Sequence, residues 1–514
     1  MKRIHLAVIL ILTLMLLAAC GRGAVDVEEY MEEYTVGDLA YYSEPIELNE
    51  NNHMATETPN YIYLLKDLDY MQYVLENNFA LFDVAYWSRG VDIHEILDNV
   101  RADIVANPDM DADEFLVSMA YNFSELASFA HFSIDLPNAH TGVISGRMPL
   151  FNAMFTERTL ERWHYPHVMD FYRRQLSLGL WTQGTLRTQG DAARQIHLDR
   201  FIMFGFYDEV DEINYFVERG EYEEVSRRMQ NVGVSINRRT SITMESLIYG
   251  NVAYLAIDRF RFREDPSSTE WDTEEEMIHS FFEEIRGYDH LIIDLRRNLG
   301  GMTIFFEEAI VRPIINEPID LKGFVFAPSG YYVQERLDEA SEGANLMILQ
   351  EIATPIIPTD NRLRTIDELL TEFDLPELNM QDMERMDYGF PIQMERLYPI
   401  RLERFGYESA FDGKIWVLTS HLTGSAAQVN AWLSRESGFA THVGDISGGN
   451  FGGPRTAVAL PHSGMMFRMD VFYVTDERGR PLEAGTVPHH FSCEGMSALE
   501  TVLALIYEGD YERD

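Results

Sequence analysis

The sequence predicts an α/β (α+β) protein, in which a mixed-sheet core follows a mostly helical N-terminal part. Three observations carry this. Apolar residues recur at spacings of three and four between Tyr61 and Ala130, the period of helices with one buried face. From Gly250 onward, short apolar runs alternate with helical stretches and run into glycine-bearing turns, which is how buried strands joined by helices read. The chain is 46% hydrophobic and 12% aromatic, ample for packed cores.

At the start, Lys2 and Arg3 precede an apolar run from Leu6 to Ala19 that ends at Cys20. The run is about 14 residues, short of the roughly 20 that a membrane-spanning helix needs. Leu17-Ala18-Ala19-Cys20 is similar to the processing box of bacterial lipoproteins. The expectation is therefore a signal peptide over 1–19, lipidation at Cys20, and an extracytoplasmic location in the cell envelope, anchored to the membrane. Val25 to Asn52 is rich in Glu, Asp, Tyr and Asn. Such a segment buries too little apolar surface to offset its ordering entropy, so 20–55 reads as a tether.

A helical domain follows over 56–145. Leu64, Leu68, Met71, Val74 and Leu75 form one apolar stripe, and Phe115, Met119, Phe123 and Leu126 form another. The second begins after Asn107-Pro108 and an acidic cluster of Asp109, Asp111, Asp113 and Glu114, which suits a helix N-terminus. It stops at His131-Phe132-Ser133-Ile134-Asp135-Leu136-Pro137, which alternates like a short strand and places His131 at a helix-to-strand junction. The region 146–245 shows helical spacing near Phe171 to Leu178 and Tyr222 to Met229, and reads as a helical connection without an assigned activity.

The core spans 246–505. Strands are expected at Asn251 to Ile257, His290 to Leu295, Gly413 to Thr419, Ala440 to Val443 and Met465 to Tyr473, with helices around Glu274 to Ile285 and Ala426 to Ser434. The acidic, Met-rich stretch over 333–394 reads as an insertion over this core.

A net charge of −43 argues against nucleic acid and against an anionic membrane surface as partners, since both require clustered Lys and Arg. Cys20 and Cys493 are the only cysteines, so the mature chain has no intramolecular disulfide to form. A lone Cys493 reads as a buried packing residue rather than a nucleophile. His462, His489 and His490 lack partners at metal-ligand spacing, and neither a metal nor another cofactor is expected.

Two segments can carry chemistry. In Asp294-Leu295-Arg296-Arg297-Asn298-Leu299-Gly300-Gly301, a glycine pair after a buried strand frees backbone N–H groups to approach a developing oxyanion. In Thr423-Gly424-Ser425-Ala426-Ala427-Gln428, a serine between strand and helix is either a helix cap or a nucleophile with the Ala426 N–H beside it.

In this order and spacing the segments resemble the tail-specific, or C-terminal-processing, serine peptidases, the family that includes the tricorn core protease. Its Asp-Leu-Arg-x-Asn-x-Gly-Gly, Ser-Ala-x-Glu and Gly-Glu elements have counterparts in Asp294 to Gly301, Ser425 to Gln428, and Gly444-Asp445 with Gly448-Gly449, and its closing Gly-Val-x-Pro-Asp is approximated by Glu483 to His489. The resemblance covers about Gly250 to His490. It implies hydrolysis of peptide or protein substrates, Ser425 as nucleophile, and an oxyanion site built from Gly300, Gly301 and Ala426.

One departure bears on mechanism. The family's common form pairs the serine with a lysine about 25 residues later, which here falls on Asn450, and the chain holds only Lys2, Lys66, Lys322 and Lys414. The tricorn branch instead uses a histidine from a helical segment ahead of the core and an acid near the end of the domain. By that resemblance His131 becomes the base, with His140 in His140-Thr141 as the alternative, and Glu483 the acid. His421 lines the turn before the serine. The competing expectation is a catalytically inactive, peptide-binding lipoprotein on the same fold. No Gly-Leu-Gly-Phe-like carboxylate-binding loop is visible between 141 and 250, so a preference for free C-termini is not expected.

Overall fold

The computed structural model describes residues 60–126, 129–135, 162, 165–178, 242–246, 251–261, 270–341, 357–359, 362–451 and 456–508. The expected signal peptide over 1–19, Cys20, the expected tether over 20–55, His140 and the stretch at Tyr222 to Met229 lie outside the described residues.

The described chain opens with helices α1 (Asn60–Asn78), α2 (Val84–Arg89), α3 (Ile93–Ala106) and α4 (Ala112–Asn122). The Asp92 side chain caps α3, and Asp111 starts α4 in a capping box closed by Glu114. The apolar stripes turn inward: Leu64, Leu68, Met71, Phe115 and Met119 are fully buried. Then follow β1 (Ser133–Ile134), α5 (Pro166–Leu178), β2 (Ile242–Ser246), β3 (Val252–Ile257), α6 (Glu270–Glu284) and β4 (His290–Asp294).

After the glycine pair come α7 (Thr303–Phe306), a π-helical turn (Glu307–Val311) and α8 (Arg312–Ile314). The next elements are β5 (Ile319–Ala327), α9 (Tyr331–Ser341), β6 (Ile357–Pro358), β7 (Arg364–Thr365), α10 (Ile366–Glu372) and β8 (Tyr388–Leu397). The remainder is β9 (Lys414–Thr419), α11 (Ala426–Glu436), β10 (Thr441–Gly444), β11 (Thr456–Ala459), β12 (Met466–Met469), β13 (Tyr473–Asp476), β14 (His490–Phe491) and α12 (Ala498–Glu508).

Among the described residues the fold is α/β with three sheets. The central one runs β14-β10-β9-β4-β3-β2, parallel from β3 to β14, with β2 antiparallel at its edge. A second, antiparallel sheet has the order β13-β5-β8-β6, and a third joins β1, β12 and β11. Through β1, which pairs with β12 as Ser133 opposite Arg468, the helical half is stitched to the core.

Two features differ from the sequence reading. The stretch over 333–394 is not only an insertion over the core, because its last part enters β8, which pairs with β5 from Tyr388 to Leu397. Phe390, Ile392 and Met394 alternate inward there, a period-two signal lost among the surrounding acids and methionines. The single strand expected at Met465 to Tyr473 is broken into β12 and β13 around Asp470.

Candidate functional site

Adjacent parallel strands β4, β9 and β10 end on the same edge of the central sheet, so the loops that leave them meet there. The loop after β4 is locked by Asn298, which is fully buried. Its Oδ1 accepts the Gly300 N–H at 2.8 Å, its Nδ2 donates to the Ile257 carbonyl at 3.0 Å, and its own carbonyl accepts the Gly424 N–H at 3.1 Å. Gly300, at φ +108°, lies so close to the serine turn that a Cβ would stand 2.8 Å from Ser425 Cβ and 2.9 Å from Ala426 N. Only glycine fits there.

The turn after β9 is tied to this loop by Ser420 Oγ, which donates to the Arg296 carbonyl at 2.6 Å, and by Thr423 Oγ1, which donates to the Leu295 carbonyl at 2.8 Å. The Ser425 N–H donates to the Gly449 carbonyl at 3.0 Å. These bonds hold Ser425 at φ 54°, ψ −126°, a strained conformation for a residue with a Cβ. Its side chain caps nothing, although it immediately precedes α11. Of the two roles open from the sequence, the helix cap is not the one adopted.

His131 arrives from the helical half on a turn in which Ala130 and His131 both have positive φ, 49° and 51°. Three contacts from the core hold this turn. Glu483 Oε1 accepts the Ala130 N–H at 2.9 Å, Asn450 Oδ1 accepts the His131 N–H at 3.2 Å, and the Ala130 carbonyl accepts the Asp470 N–H at 3.2 Å. Of the described non-glycine residues with positive φ, Ala130, His131, Ser425 and Asn450 all belong to this site; Asn251 is the other. Strain of this kind collects where a site over-determines its backbone.

The imidazole bridges the two halves. His131 Nε2 lies 3.1 Å from Ser425 Oγ, and Nδ1 lies 2.8 Å from Asp470 Oδ2. The Asp470 side chain is fully buried and that of His131 nearly so. A carboxylate at Nδ1 favours the tautomer that leaves the Nε2 lone pair facing the hydroxyl.

Glu483 does not take the place assigned to it. Its carboxylate is spent on backbone, with Oε1 on Ala130 and Oε2 accepting the Phe451 N–H at 2.9 Å, and Asp470 occupies the imidazole's side. Burial pushes the Glu483 carboxyl above its ordinary range, the nearby Asp470 charge adds to this, and the N–H bonds oppose it. Gln428, at the glutamate position of Ser-Ala-x-Glu, keeps this acid in place by donating from Nε2 to the Leu482 carbonyl and to Thr486 Oγ1.

The oxyanion assignment also changes. The Gly300 N–H is occupied by Asn298, so Gly300 contributes close approach rather than a donor. Among the described residues, the N–H groups of Gly301 and Ala426 have no acceptor. His421 is exposed at the start of the turn, and Cys493 is exposed rather than buried. Asp470 and the anchoring role of Asn450 were not anticipated. The available signal was an acid inside the mostly apolar run Met465 to Tyr473, two residues after Arg468, since a buried strand does not carry such a charge without a partner.

A hydroxyl, an imidazole and a buried carboxylate in line at the edge of an α/β sheet, beside two N–H groups without acceptors, are the parts of a peptidase-like serine hydrolase. Residues 251–491 match the model of Peptidase family S41. No curated protein is recognisably similar in sequence. Among solved structures, a candidate peptidase from Parabacteroides merdae is 14% identical, with 89% of this chain and 100% of that one covered at a TM-score of 0.44. Mature CPAF complexed with lactacystin is 13% identical, with 84% and 94% covered at a TM-score of 0.45.

Proposed function

We propose that the chain is a serine peptidase in which Ser425 is the nucleophile, His131 its general base and Asp470 the acid that orients the imidazole. The observation that carries this reading is the 3.1 Å contact between His131 Nε2 and Ser425 Oγ. It answers the missing lysine: Asn450 cannot accept a proton from the serine, and the histidine whose N–H Asn450 holds lies within reach of that hydroxyl.

Ser425 Oγ attacks the carbonyl carbon of a peptide bond while Nε2 takes its proton, and the carbonyl π electrons move onto oxygen. The N–H groups of Ala426 and Gly301 meet that oxyanion, with the positive end of α11 behind them. As the C–N bond breaks, the leaving amine takes the proton from Nε2. Water, deprotonated by the same nitrogen, then attacks the acyl-serine and releases the acid. Asp470 holds the ring and balances its transient positive charge throughout. Glu483 and Asn450 hold the backbone that presents the ring.

The location belongs to the same proposal. The basic, apolar and small-residue pattern ending at Cys20 supports export and lipid anchoring, with the peptidase working outside the cytoplasm. A fluorophosphonate probe tests the chemistry on the full chain. The native protein is expected to label, and Ser425→Ala and His131→Ala are not. Equal labelling of native and Ser425→Ala refutes the nucleophile, and an unlabelled native chain with normal folding favours the inactive, peptide-binding alternative.

A further inference from the structure

Two exposed guanidinium groups beside the site, those of Arg89 and Arg297, lack the carboxylate partner that most arginines of the described residues have; Arg401, away from the site, is held by the Ile315 and Ile400 carbonyls and by Asn316 instead. Arg89 ends α2 and is exposed. Its Nη2 donates to the Gly448 carbonyl at 2.9 Å, and the guanidinium lies 5.8 Å from the centre of the Phe129 ring. Gly448 adjoins Gly449, which accepts the Ser425 N–H, and Phe129 is two residues before His131. Arg89 thus sits where the histidine turn and the glycine-rich loop meet.

Arg297 is exposed on the loop after β4. Its neighbour Arg296 accepts Ser420 Oγ through its carbonyl, and its neighbour Asn298 accepts the Gly424 N–H. This fixes the backbone of Arg297 against the turn that carries the nucleophile.

Among the described residues neither Arg89 nor Arg297 has a carboxylate partner. That is unusual in a chain with 84 acidic and 41 basic residues. Arg296 pairs with Asp294, Arg162 with Glu335, Arg468 with Asp135 and Arg480 with Asp476. The buried acids of the site, Asp470 and Glu483, are committed to His131 and to backbone N–H groups, and the exposed Asp445 on the loop after β10 pairs with neither arginine among the described residues.

Guanidinium groups left without a carboxylate at the lip of a cleft, on a protein of net charge −43, point to a ligand that supplies one. Without them an anionic peptide would be repelled by the chain as a whole. With them it meets planar donors that match a carboxylate in geometry, since Arg89 uses one donor on Gly448 and has others to offer. Leu299 and Ile446 are exposed on the loops after β4 and β10, which gives the same region an apolar component.

We infer that Arg89 and Arg297 form a carboxylate-recognition pair, so that the favoured substrates are peptides with a carboxylate close to the scissile bond; this rests on the peptidase reading above. The carboxylate can belong to an Asp or Glu side chain or to the free C-terminus, and the chemistry of recognition is the same.

The test compares fluorogenic peptides of one core sequence in two arms. In the first, both ends are blocked and Glu is exchanged for Gln at each position flanking the cleaved bond. In the second, the C-terminal acid is exchanged for the amide. The native chain is expected to favour the carboxylate member of at least one arm by about tenfold in kcat/KM, less so at high salt. The arm that responds identifies the source. In Arg89→Gln, whose amide can still donate to Gly448, and in Arg297→Gln, which disturbs no other contact, that ratio falls towards one. Peptide hydrolysis with a flat ratio in both arms overturns this inference and leaves the peptidase reading intact. If the native chain cleaves nothing, the peptidase reading fails, and the Kd values of the same peptides for the Ser425→Ala chain still decide the pair. Equal affinity for carboxylate and amide members, or a preference unchanged by both arginine variants, sinks it.

Discussion

Replacing Asp470 by Asn isolates the part of the site that sequence reasoning assigned to another residue. The side chain is fully buried, its Oδ2 meets His131 Nδ1 at 2.8 Å, and its backbone N–H bond to Ala130 does not depend on the side chain. Asparagine has nearly the same shape, so packing is retained while two electrostatic functions are lost. Its amide N–H turned to Nδ1 would hold the imidazole with its proton on Nε2, where it cannot accept one from Ser425. The imidazolium formed during attack would also lose its counter-charge. Two unit charges about 4 Å apart at an effective dielectric of about 20 attract by about 4 kcal/mol, which is about 10³ in rate at 1.36 kcal/mol per decade. The tautomer effect brings the expected loss in kcat to about 10³–10⁴, the scale known for the corresponding change in serine-protease triads. KM should stay near the native value, since Asp470 touches no substrate. The assay is kcat and KM on a fluorogenic peptide, with the melting temperature measured in parallel. A folded Asp470→Asn chain within about tenfold of native kcat would remove Asp470 from the mechanism. Glu483→Gln serves as the internal comparison. It disturbs the Ala130 or Phe451 N–H bond and not the ring, so its loss of kcat should be smaller and its loss of stability larger.

Gly300→Ala would force a Cβ to within 2.8 Å of Ser425 Cβ at φ +108°, so displacement of the nucleophile should lower kcat by about 10²–10³, read in the same assay. Asn450→Ala removes the acceptor of the His131 N–H and places alanine at φ 67°. About 1 kcal/mol of backbone strain and a tenfold or greater fall in kcat are expected, with denaturant melts separating the two; unchanged kcat would show that the histidine turn holds itself. Glu307, in the π-helical turn, is buried, its Oε1 has no partner among the described residues, and burial, followed by the charge of Glu308, raises its carboxyl to about 8. A group raised in the folded state is stabilising below its unfolded value, and that contribution is lost as pH rises from about 4.5 through about 8. Glu307→Gln should therefore gain about 1–3 kcal/mol relative to native at pH 9 and little at pH 5, and a pH-independent difference in melting would contradict the assigned burial cost.

What could be read from the sequence divides along a physical line. The N-terminal helices, β3, β4 and β9 were legible because each is a local pattern: an apolar period and a glycine or acidic boundary. The placement of Ser425 and of the glycine pair was legible because a buried strand running into a small-residue turn is also local, while the bond that takes up the Gly300 N–H was not. The residues that were misread are those whose roles depend on contacts between distant segments. Asp470 lies 339 positions from His131, and Glu483 lies 353 from Ala130. No spacing rule chooses between two acids thirteen positions apart when both approach one histidine turn, one at its ring and the other at its backbone. The difference comes from which strand carries each acid. β12 pairs directly with β1, so the residue that follows it is brought beside the turn preceding β1, where it meets the imaginary line from ring to serine on the far side of the ring. Glu483, on a short 3₁₀ turn steadied by Gln428, comes in from the glycine-rich loop and meets the peptide groups instead. The same reasoning gives Asn450 its meaning. At the position where relatives of the common form carry a lysine, a side-chain oxygen facing the His131 N–H holds the histidine in place of supplying a base. At this one residue the common form's proton acceptor is absent and the His131 N–H is held, so the missing lysine, which in the sequence favours an inactive chain, is compatible with the proposed histidine base.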